Sequence, residues 1–246
     1  MLLCVDIGNS SIKFGVFDET KLTAKFSIPT KRDHSAGEIS RQVGDGIPAR
    51  IDAAIVCSVV PEMDAAITKF ISDSFKLKPR FVRSTDDLGL KINFNVESTG
   101  ADRLVNCFAA AEKYGTPCVV ISFGTATTID TVNKEREYLG GLIAPGMKVT
   151  AKALSMATSK LPEVQIEKPS HVIAQTTERA INSGIVYGQI AMAEGLINKV
   201  IAELGDQPRV IATGGFAELI SSEIDVIHVV DIDLTLDGLN MLSRSS

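Results

Sequence analysis

The first residues of the chain form two apolar segments separated by a short polar turn. Residues 2–7 and 12–17 are largely apolar, and the four residues between them are Gly8, Asn9 and two serines. A glycine with short hydroxyl or amide neighbours lets backbone N–H groups approach an anion closely, and Asp6 at the end of the first segment can hold a metal ion. The pattern predicts two strands joined either by an ordinary hairpin turn or by a phosphate-binding turn.

The same pattern occurs again about half the chain later, in residues 118–130. When the two copies are aligned, Gly124 takes the place of Gly8. Two similar strand–turn–strand segments far apart indicate a duplicated fold, in which both turns face one phosphate chain from opposite sides. The alignment also predicts an acid in the second copy, but the chain has Ser122 at the position equivalent to Asp6.

Composition restricts the partners that such a fold can have. The chain has 246 residues, 45% of them hydrophobic, which is enough for one large core or two modest ones. Its formal net charge is -5 and it lacks runs of Lys and Arg, whereas nucleic-acid and anionic-membrane surfaces require clustered positive charge. No apolar run is long enough to span a bilayer. We therefore expect a two-lobed protein without nucleic-acid or membrane partners.

The cysteines indicate a reducing environment. All four occur in or beside apolar runs, and none has the close spacing of metal ligands. This placement is typical of buried, reduced thiols, and the N-terminal strand pattern contains an acid and does not resemble a secretion signal. The sequence therefore predicts a cytoplasmic protein with free thiols at Cys4, Cys57, Cys107 and Cys118.

Apolar spacing in the first half predicts an α/β lobe built on the opening hairpin. A third extended segment at 21–27 is followed by a near-continuous apolar run at 51–60, typical of a buried strand. Helical spacing over 63–75 and a short strand at 80–83 follow. The first lobe is thus expected to combine a hairpin sheet with α/β crossover units.

A helix is predicted to begin just after Gly100 and to end at Gly115. Its first turn contains Asp102 followed by Arg103. An acid at this position can simply compensate the helix dipole. Beside an arginine that can hold a carboxylate or phosphate in a fixed fork, the same acid can also accept a hydroxyl proton.

In the second half, glycine and proline at 140–146 predict a loop where the backbone comes close to another group or makes a tight turn. The next helical stretch is expected to end at Leu161 and Pro162. Thr176 then resembles the N-cap of a further helix. The clearest helical pattern of the chain covers 189–204.

The last predicted elements are two strands, at 209–212 and 224–230. The first leads directly into Gly214 and Gly215, and paired glycines after a strand allow a base or ribose to lie on the backbone. A plain strand-to-helix turn explains the same pattern equally well.

Together these motifs resemble those of type III pantothenate kinases, the family of the Bvg accessory factor homologues within the superfamily of acetate kinase, sugar kinases, heat-shock chaperones and actin. The resemblance covers essentially the whole chain, and its most specific part is Gly-Ala-Asp-Arg at 100–103 followed by Phe-Gly-Thr-Ala-Thr-Thr at 123–128. The other matching motifs are Asp6 to Ser10, Cys57 to Pro61, Gly140-Gly141 with Pro145-Gly146, Leu161-Pro162, Thr213 to Gly215 and Asp233 to Leu239.

The resemblance implies an α/β fold of two ribonuclease-H-like, actin-like lobes with mixed β-sheets flanked by helices, which we place at residues 1–115 and 116–246. It also implies ATP binding between the lobes and transfer of the γ-phosphoryl group to the primary hydroxyl of pantothenate, the first step toward coenzyme A. The implied cofactors are ATP, Mg²⁺ and a monovalent cation, K⁺ or NH₄⁺.

The resemblance also implies roles for individual residues. Asp102 is the implied catalytic base, and Thr177 matches a threonine that reaches pantothenate across a homodimer interface, so that two chains share their active sites. Pantothenate is held by Gly100, Ala101, Asp102 and Arg103. The ATP phosphates and the divalent metal are held by Asp6, Ile7, Gly8, Asn9, Ser10, Ser11, Ile12, Lys13 and Thr125, with Asp6 nearest the metal.

Ser122 departs from the family pattern, which has an aspartate associated with the monovalent cation at this position. A hydroxyl can donate one ligand oxygen but no charge. Three explanations are open: a weakened kinase with an altered cation requirement, a non-catalytic paralogue that still binds ligands, or a change introduced in the laboratory. The competing functions are accordingly a pantothenate kinase, a ligand-binding regulatory protein on the same fold, and a superfamily kinase or phosphatase with another acceptor.

Overall fold

The computed structural model describes residues 1–48 and 50–244. Within this part the chain forms two compact units. The first unit contains Met1–Ala109 and the C-terminal segment from Asp233 onward, and the second contains Ala110–Ile232. The division proposed above, after residue 115, placed that C-terminal segment in the second lobe, whereas it packs with the first unit.

A five-stranded mixed sheet forms the centre of the first unit. Its strand order is β3-β2-β1-β4-β5, in which β2 is antiparallel to β1 and β3, and β4 is parallel to β1 and β5. The polar turn predicted from the sequence joins β1 to β2. The strands are β1 (Leu2–Ile7), β2 (Ser11–Asp18), β3 (Lys21–Pro29), β4 (Ala53–Ser58) and β5 (Arg80–Val82).

Helices cover this sheet, because alternate strand residues point to opposite faces and both faces are apolar. One face packs on the first two helices in a core that includes Leu3, Val5 and Ile67. On the other face Leu236 of the last helix lies against Gly15 of β2, which explains why the C-terminal segment belongs to this unit. The helices are α1 (Ala36–Val43), α2 (Asp64–Phe75), α3 (Ala101–Tyr114), whose last five residues belong to the second unit, and α7 (Leu234–Arg244).

The second unit repeats the sheet of the first. Its strand order is β8-β7-β6-β9-β10, with β7 antiparallel to β6 and β8, and β9 parallel to β6 and β10. The strands are β6 (Cys118–Phe123), β7 (Ala126–Val132), β8 (Tyr138–Pro145), β9 (Arg209–Thr213) and β10 (Val229–Val230). The prediction of a duplicated α/β fold with mixed sheets is therefore confirmed.

The helices of the second unit include one much longer than its sequence pattern indicated. The segment 189–204 is the C-terminal part of a helix that begins at the predicted cap, since Thr176 Oγ1 accepts a hydrogen bond from Arg179 N. This helix ends at Gly205, whose φ of 67° favours glycine. The helices of this unit are α4 (Met147–Ala157), α5 (Thr177–Leu204) and α6 (Ala217–Ile220), and a short 3₁₀ turn occurs at Ser221–Glu223. The first unit has 3₁₀ turns at Gly44–Gly46 and Pro61–Met63.

Three predictions about the second half were wrong. Residues 140–145 are not a loop but the greater part of strand β8, and a Cβ on Gly141 would overlap the carbonyl oxygen of Ile129, so glycine is required by the closeness of β7. Helix α4 ends at Ala157, before Leu161. Only Val229–Val230 of the predicted strand 224–230 pairs with β9, because the preceding residues form turns.

All four cysteines are buried and free, as the sequence predicted. Burial raises the pKa of the Cys118 thiol to about 12. Within the described part of the chain, no helix combines the length and apolarity needed to cross a membrane.

Candidate functional site

The carboxyl ends of three parallel strands meet at one edge of the first sheet, where α/β proteins commonly bind ligands. The polar turn after β1, residues 8–11, lies at this edge and is called the first turn below. Gly8 N donates a hydrogen bond to Ser11 O at 3.0 Å, which closes the turn. Thr30 adds a second constraint, because its Oγ1 donates to Gly8 O at 2.6 Å and its N donates to Ser10 O at 3.2 Å. No motif pointed to Thr30, since it follows β3 and approaches the turn only in the folded sheet.

Asp6 is a buried carboxylate beside the first turn, and only 9% of the residue is exposed. It pairs with Lys13 in the β1–β2 register, and Lys13 Nζ lies 3.9 Å from Asp6 Oδ2. Burial raises the pKa of Asp6, while attraction to Lys13 acts in the opposite direction. A carboxylate that is incompletely compensated in this way is suited to receive a further cation.

Asp102 lies in the first turn of α3, where Arg103 N donates a hydrogen bond to its Oδ1 at 2.9 Å. A Cβ at Gly100 would stand 2.5 Å from Asp102 Oδ1, so a larger residue there would displace the Asp102 carboxylate, and 3.4 Å from Val59 Cγ1, which is an ordinary contact. Val59 follows β4, so the start of α3 lies close to the end of that strand.

The buried thiol of Cys57 lies near both carboxylates. Its pKa is raised well above the ordinary value, mainly by burial, and both Asp6 and Asp102 raise it further. Cys57 pairs with Asp6 in the parallel β1–β4 register. The structure therefore brings together Asp6, Lys13 and Asp102, which the sequence analysis assigned to one site.

Arg83 is a further charged residue at this edge that the sequence analysis did not assign. It directly follows β5, its guanidinium lies 4.9 Å from the centre of the Phe81 ring, and its Nη2 donates to Asp64 Oδ2 at 3.2 Å. Arg83 lowers the pKa of Cys57, opposing the nearby acids. A basic residue immediately after a parallel strand was the available signal.

The second unit has an equivalent turn at Gly124 and Thr125, called the second turn below. Gly124 N donates to Ala126 O at 3.1 Å, so this turn is one residue shorter than the first. A Cβ on Gly146 would overlap the backbone of both turn residues, and a Cβ on Gly214 would stand 2.6 Å from Phe123 O. The backbone is therefore closely packed around the second turn, and only glycine fits at these neighbouring positions.

Helix α5 is fixed to the second sheet by a buried hydrogen bond. Gln189 Nε2 donates to Thr127 Oγ1 at 2.8 Å. Gln189 also lines a mainly apolar cavity of about 390 Å³ between α4 and α5. Thr177 is the first residue of α5 and is exposed. Periodicity indicated the helix but gave no signal for the contact between Gln189 and Thr127.

Comparison with known proteins identifies the family of this chain. A family model described as type III pantothenate kinase matches residues 2–199. The chain belongs to the type III pantothenate kinase family. It is 41% identical over 250 residues to a type III pantothenate kinase of Pelobacter propionicus, covering 98% of both chains. It is 39% identical over 249 residues to that of Roseiflexus sp., again covering 98% of both chains.

The pantothenate kinase family assignment agrees with similarity in fold to solved structures. A ROK family glucokinase from Streptomyces griseus, solved in complex with glucose and AMPPNP, aligns with a TM-score of 0.55 at 12% identity and covers 100% of this chain and 99% of that chain. At this identity the likeness concerns the fold alone. It supports two ribonuclease-H-like units of the actin-like type, as the sequence analysis expected.

Proposed function

We propose that this protein transfers the γ-phosphoryl group of ATP to the primary hydroxyl of pantothenate, giving 4′-phosphopantothenate in the first step of coenzyme A synthesis. The observation that carries the proposal is the match of the pantothenate kinase family model to residues 2–199. This range includes Asp6 and Asp102, which both lie near Cys57 at one edge of the first sheet. Phosphoryl transfer has a loose transition state, so catalysis depends on positioning and on neutralising charge more than on covalent chemistry.

In this proposal the ATP phosphates are held by residues 6–13, which are the first turn and the residues on either side of it. Thr125 in the second turn contacts the phosphates as well. The turn is suited to this role because its backbone is fixed by Thr30 while Asn9 and Ser10 remain exposed. A fixed turn with exposed polar groups can present N–H donors to an anion without further ordering.

Asp6 is the residue proposed to hold Mg²⁺. Its buried, incompletely compensated carboxylate fits a divalent cation, and no cluster of three or more metal-ligating side chains occurs among the described residues. Magnesium commonly binds through one or two carboxylates together with substrate phosphates and water, which is compatible with one protein ligand. When bound, the metal neutralises charge on the phosphoryl group being transferred.

Asp102 is the proposed base that accepts the hydroxyl proton of pantothenate, and Gly100, Ala101 and Arg103 are proposed to hold that substrate. The hydrogen bond from Arg103 N fixes the Asp102 carboxylate at the helix start. A base in phosphoryl transfer need only accept a proton late, so an ordinary carboxylate is sufficient.

We further propose that the protein is a cytoplasmic homodimer in which Thr177 reaches the pantothenate of the partner chain. Exposed large apolar side chains in the second unit support an interface there, since such groups are usually covered. Met156 is 76% exposed, Val172 63% and Ile173 89%. Four buried free thiols are compatible with a reducing compartment.

A coupled assay of ADP release with ATP, Mg²⁺ and pantothenate tests the proposal. Asp102→Asn should lower kcat by about 10²–10⁴-fold with a smaller change in KM, because the base acts on the reacting proton. Asp73→Asn is the matched control, since Asp73 is an exposed acid on α2 whose carboxylate forms a salt bridge with Lys69, one turn earlier in the same helix. It should retain wild-type turnover.

Two results would contradict the kinase proposal. Binding of ATP and pantothenate without turnover, also after Ser122→Asp, would favour the ligand-binding regulatory protein. Turnover with a different alcohol but none with pantothenate would favour another kinase of the superfamily. Ser122 is the one observation that favours the first alternative, and the retained Asp6 and Asp102 oppose it.

A further inference from the structure

Three side chains lie side by side across the first sheet, close to the first turn. Strand pairing aligns them on neighbouring strands, and paired residues share one face of a sheet. They are Lys13 on β2, Asp6 on β1 and Cys57 on β4. The acid in the middle of this row is partly compensated by the lysine at one side, at 3.9 Å.

The second sheet has an equivalent row before the second turn. Ser122 pairs with Thr128 on β7 and with Thr213 on β9. Ser122 and Thr128 are half-buried, and Thr213 is buried. The duplication has therefore replaced both members of the acid–base pair, and the second row contains three hydroxyl groups and no charge.

The absence of a carboxylate in this row changes what a nearby phosphate requires. A carboxylate facing a phosphate chain needs a cation between them, because two negative groups at close range repel strongly in a partly buried site. Hydroxyl groups can instead donate hydrogen bonds to phosphate oxygens directly. Along the same face of β7, Asp130 is two residues further from the turn, and its Oδ1 accepts a hydrogen bond from Tyr138 OH at 2.7 Å.

The monovalent cation implied by the family resemblance does not fit this row. Hydroxyl oxygens supply ligand atoms but no charge, so a cation held there would lose much of its hydration without an anionic partner from the protein. We propose that the second turn of this protein takes the nucleotide phosphates through Ser122 and its hydroxyl neighbours, so that nucleotide binding needs no K⁺ or NH₄⁺. This inference rests on the proposed function, because it concerns the ATP phosphates.

The test is calorimetric titration of MgAMPPNP, a non-hydrolysed ATP analogue, into the wild-type protein. One titration is run in KCl and the other in tetramethylammonium chloride at equal ionic strength. The dissociation constants should agree within about twofold, because no charged group of the second turn gains a partner from potassium and ionic strength is matched. Turnover in the same two salts should agree equally well.

Ser122→Asp should create the cation dependence that the wild type lacks. In tetramethylammonium its affinity for MgAMPPNP should fall by about tenfold or more, because the new carboxylate faces the phosphates, and KCl should restore most of the loss. Adding Thr128→Lys to this variant recreates the acid–lysine pair of the first sheet and should restore affinity without potassium. Ser122→Asn is the neutral control and should bind equally in both salts.

The outcomes separate this inference from the proposed function. Wild-type binding that appears only with K⁺ or NH₄⁺ would overturn the inference and leave the kinase proposal intact. Absence of nucleotide binding in both salts would overturn the kinase proposal and this inference with it. The wild-type titrations decide the question even if Ser122→Asp does not fold.

Discussion

Replacing Asp6 with asparagine should raise the thermal stability of the ligand-free protein while weakening its binding of MgATP. Only 9% of Asp6 is exposed, and Lys13 Nζ lies 3.9 Å from its Oδ2. Burial raises the pKa of Asp6, and attraction to Lys13 opposes this shift without cancelling it. The ionised carboxylate therefore lowers the stability of the folded protein at neutral pH.

The magnitude follows from two opposed energies. At an effective dielectric constant of about 20, charges separated as in the Asp6–Lys13 pair attract by about 4 kcal/mol, whereas moving an ion into a protein interior costs several kcal/mol. The raised pKa of Asp6 indicates that the second energy is larger. Removing the charge should therefore stabilise the protein by on the order of 1 kcal/mol, or about 2–4 °C in Tm for a chain of this size.

The effect should depend on pH in a defined direction. Because the pKa of Asp6 is higher in the folded than in the unfolded state, folding is favoured while the carboxyl is protonated and loses stability as the pH rises. Below the ordinary pKa of Asp, about 4, the carboxyl is protonated in both the folded and the unfolded state, and the two proteins should differ least in stability. The advantage of Asp6→Asn should grow as the pH rises above this value and be complete once the pH exceeds the raised pKa of the folded state.

Thermal melts followed by circular dichroism in EDTA, without nucleotide, measure this effect. Asp130→Asn is the matched control in the second unit, because Asp130 is 2% exposed and accepts a hydrogen bond from Tyr138 OH at 2.7 Å. Weakening that charge-assisted bond should lower stability by about 1 kcal/mol. If Asp6→Asn also melts below the wild type at neutral pH, the reasoning from burial is refuted.

Three further substitutions test the backbone constraints of the fold and the first turn. Gly141→Ala should destabilise the protein by about 1–3 kcal/mol in urea unfolding, because its Cβ would overlap Ile129 O. Gly195→Ala on α5 is the control, and it should stabilise the protein by about 0.5–1 kcal/mol because the space around Gly195 is open. Equal effects of the two substitutions would contradict the packing argument. Thr30→Val removes the donor to Gly8 O and should weaken MgAMPPNP binding in calorimetry by about 2–10-fold, and unchanged affinity would show that the hydroxyl does not order the turn.

The duplicated sheets could be predicted from sequence because their signals are local. Apolar runs on either side of a glycine turn occur in both halves, and both sheets have the predicted antiparallel strands with the same strand order. The cap at Thr176 and the end at Gly205 were equally readable, since capping depends on one or two residues.

Other features depend on contacts that no local pattern records. Gly140 and Gly141 resemble a loop, yet they pair with β7 as part of β8, and β7 approaches Gly141 too closely for a side chain. The packing of α7 on the first sheet joins residues more than two hundred positions apart, such as Gly15 and Leu236. Thr30 likewise reaches the first turn only through the pairing of β2 and β3.

The candidate site was predictable to the extent that its residues belong to motifs. Asp6 and Asp102 were assigned from separate motifs, and the structure brings both near Cys57. Arg83 was missed because a single basic residue after a short strand carries little information by itself. The neutral row at Ser122 was recognisable as a departure, but its missing lysine partner became evident only from the strand register.

Identification of the product by mass spectrometry and ³¹P nuclear magnetic resonance tests the central claim most directly. The purified protein is incubated with ATP, Mg²⁺ and pantothenate, with Asp102→Asn as the parallel control. We expect equal amounts of ADP and 4′-phosphopantothenate, with the new phosphate monoester on the primary hydroxyl, and far less of both from the variant. ATP hydrolysis without a phosphorylated pantothenate, or bound substrates that remain unchanged, would contradict it.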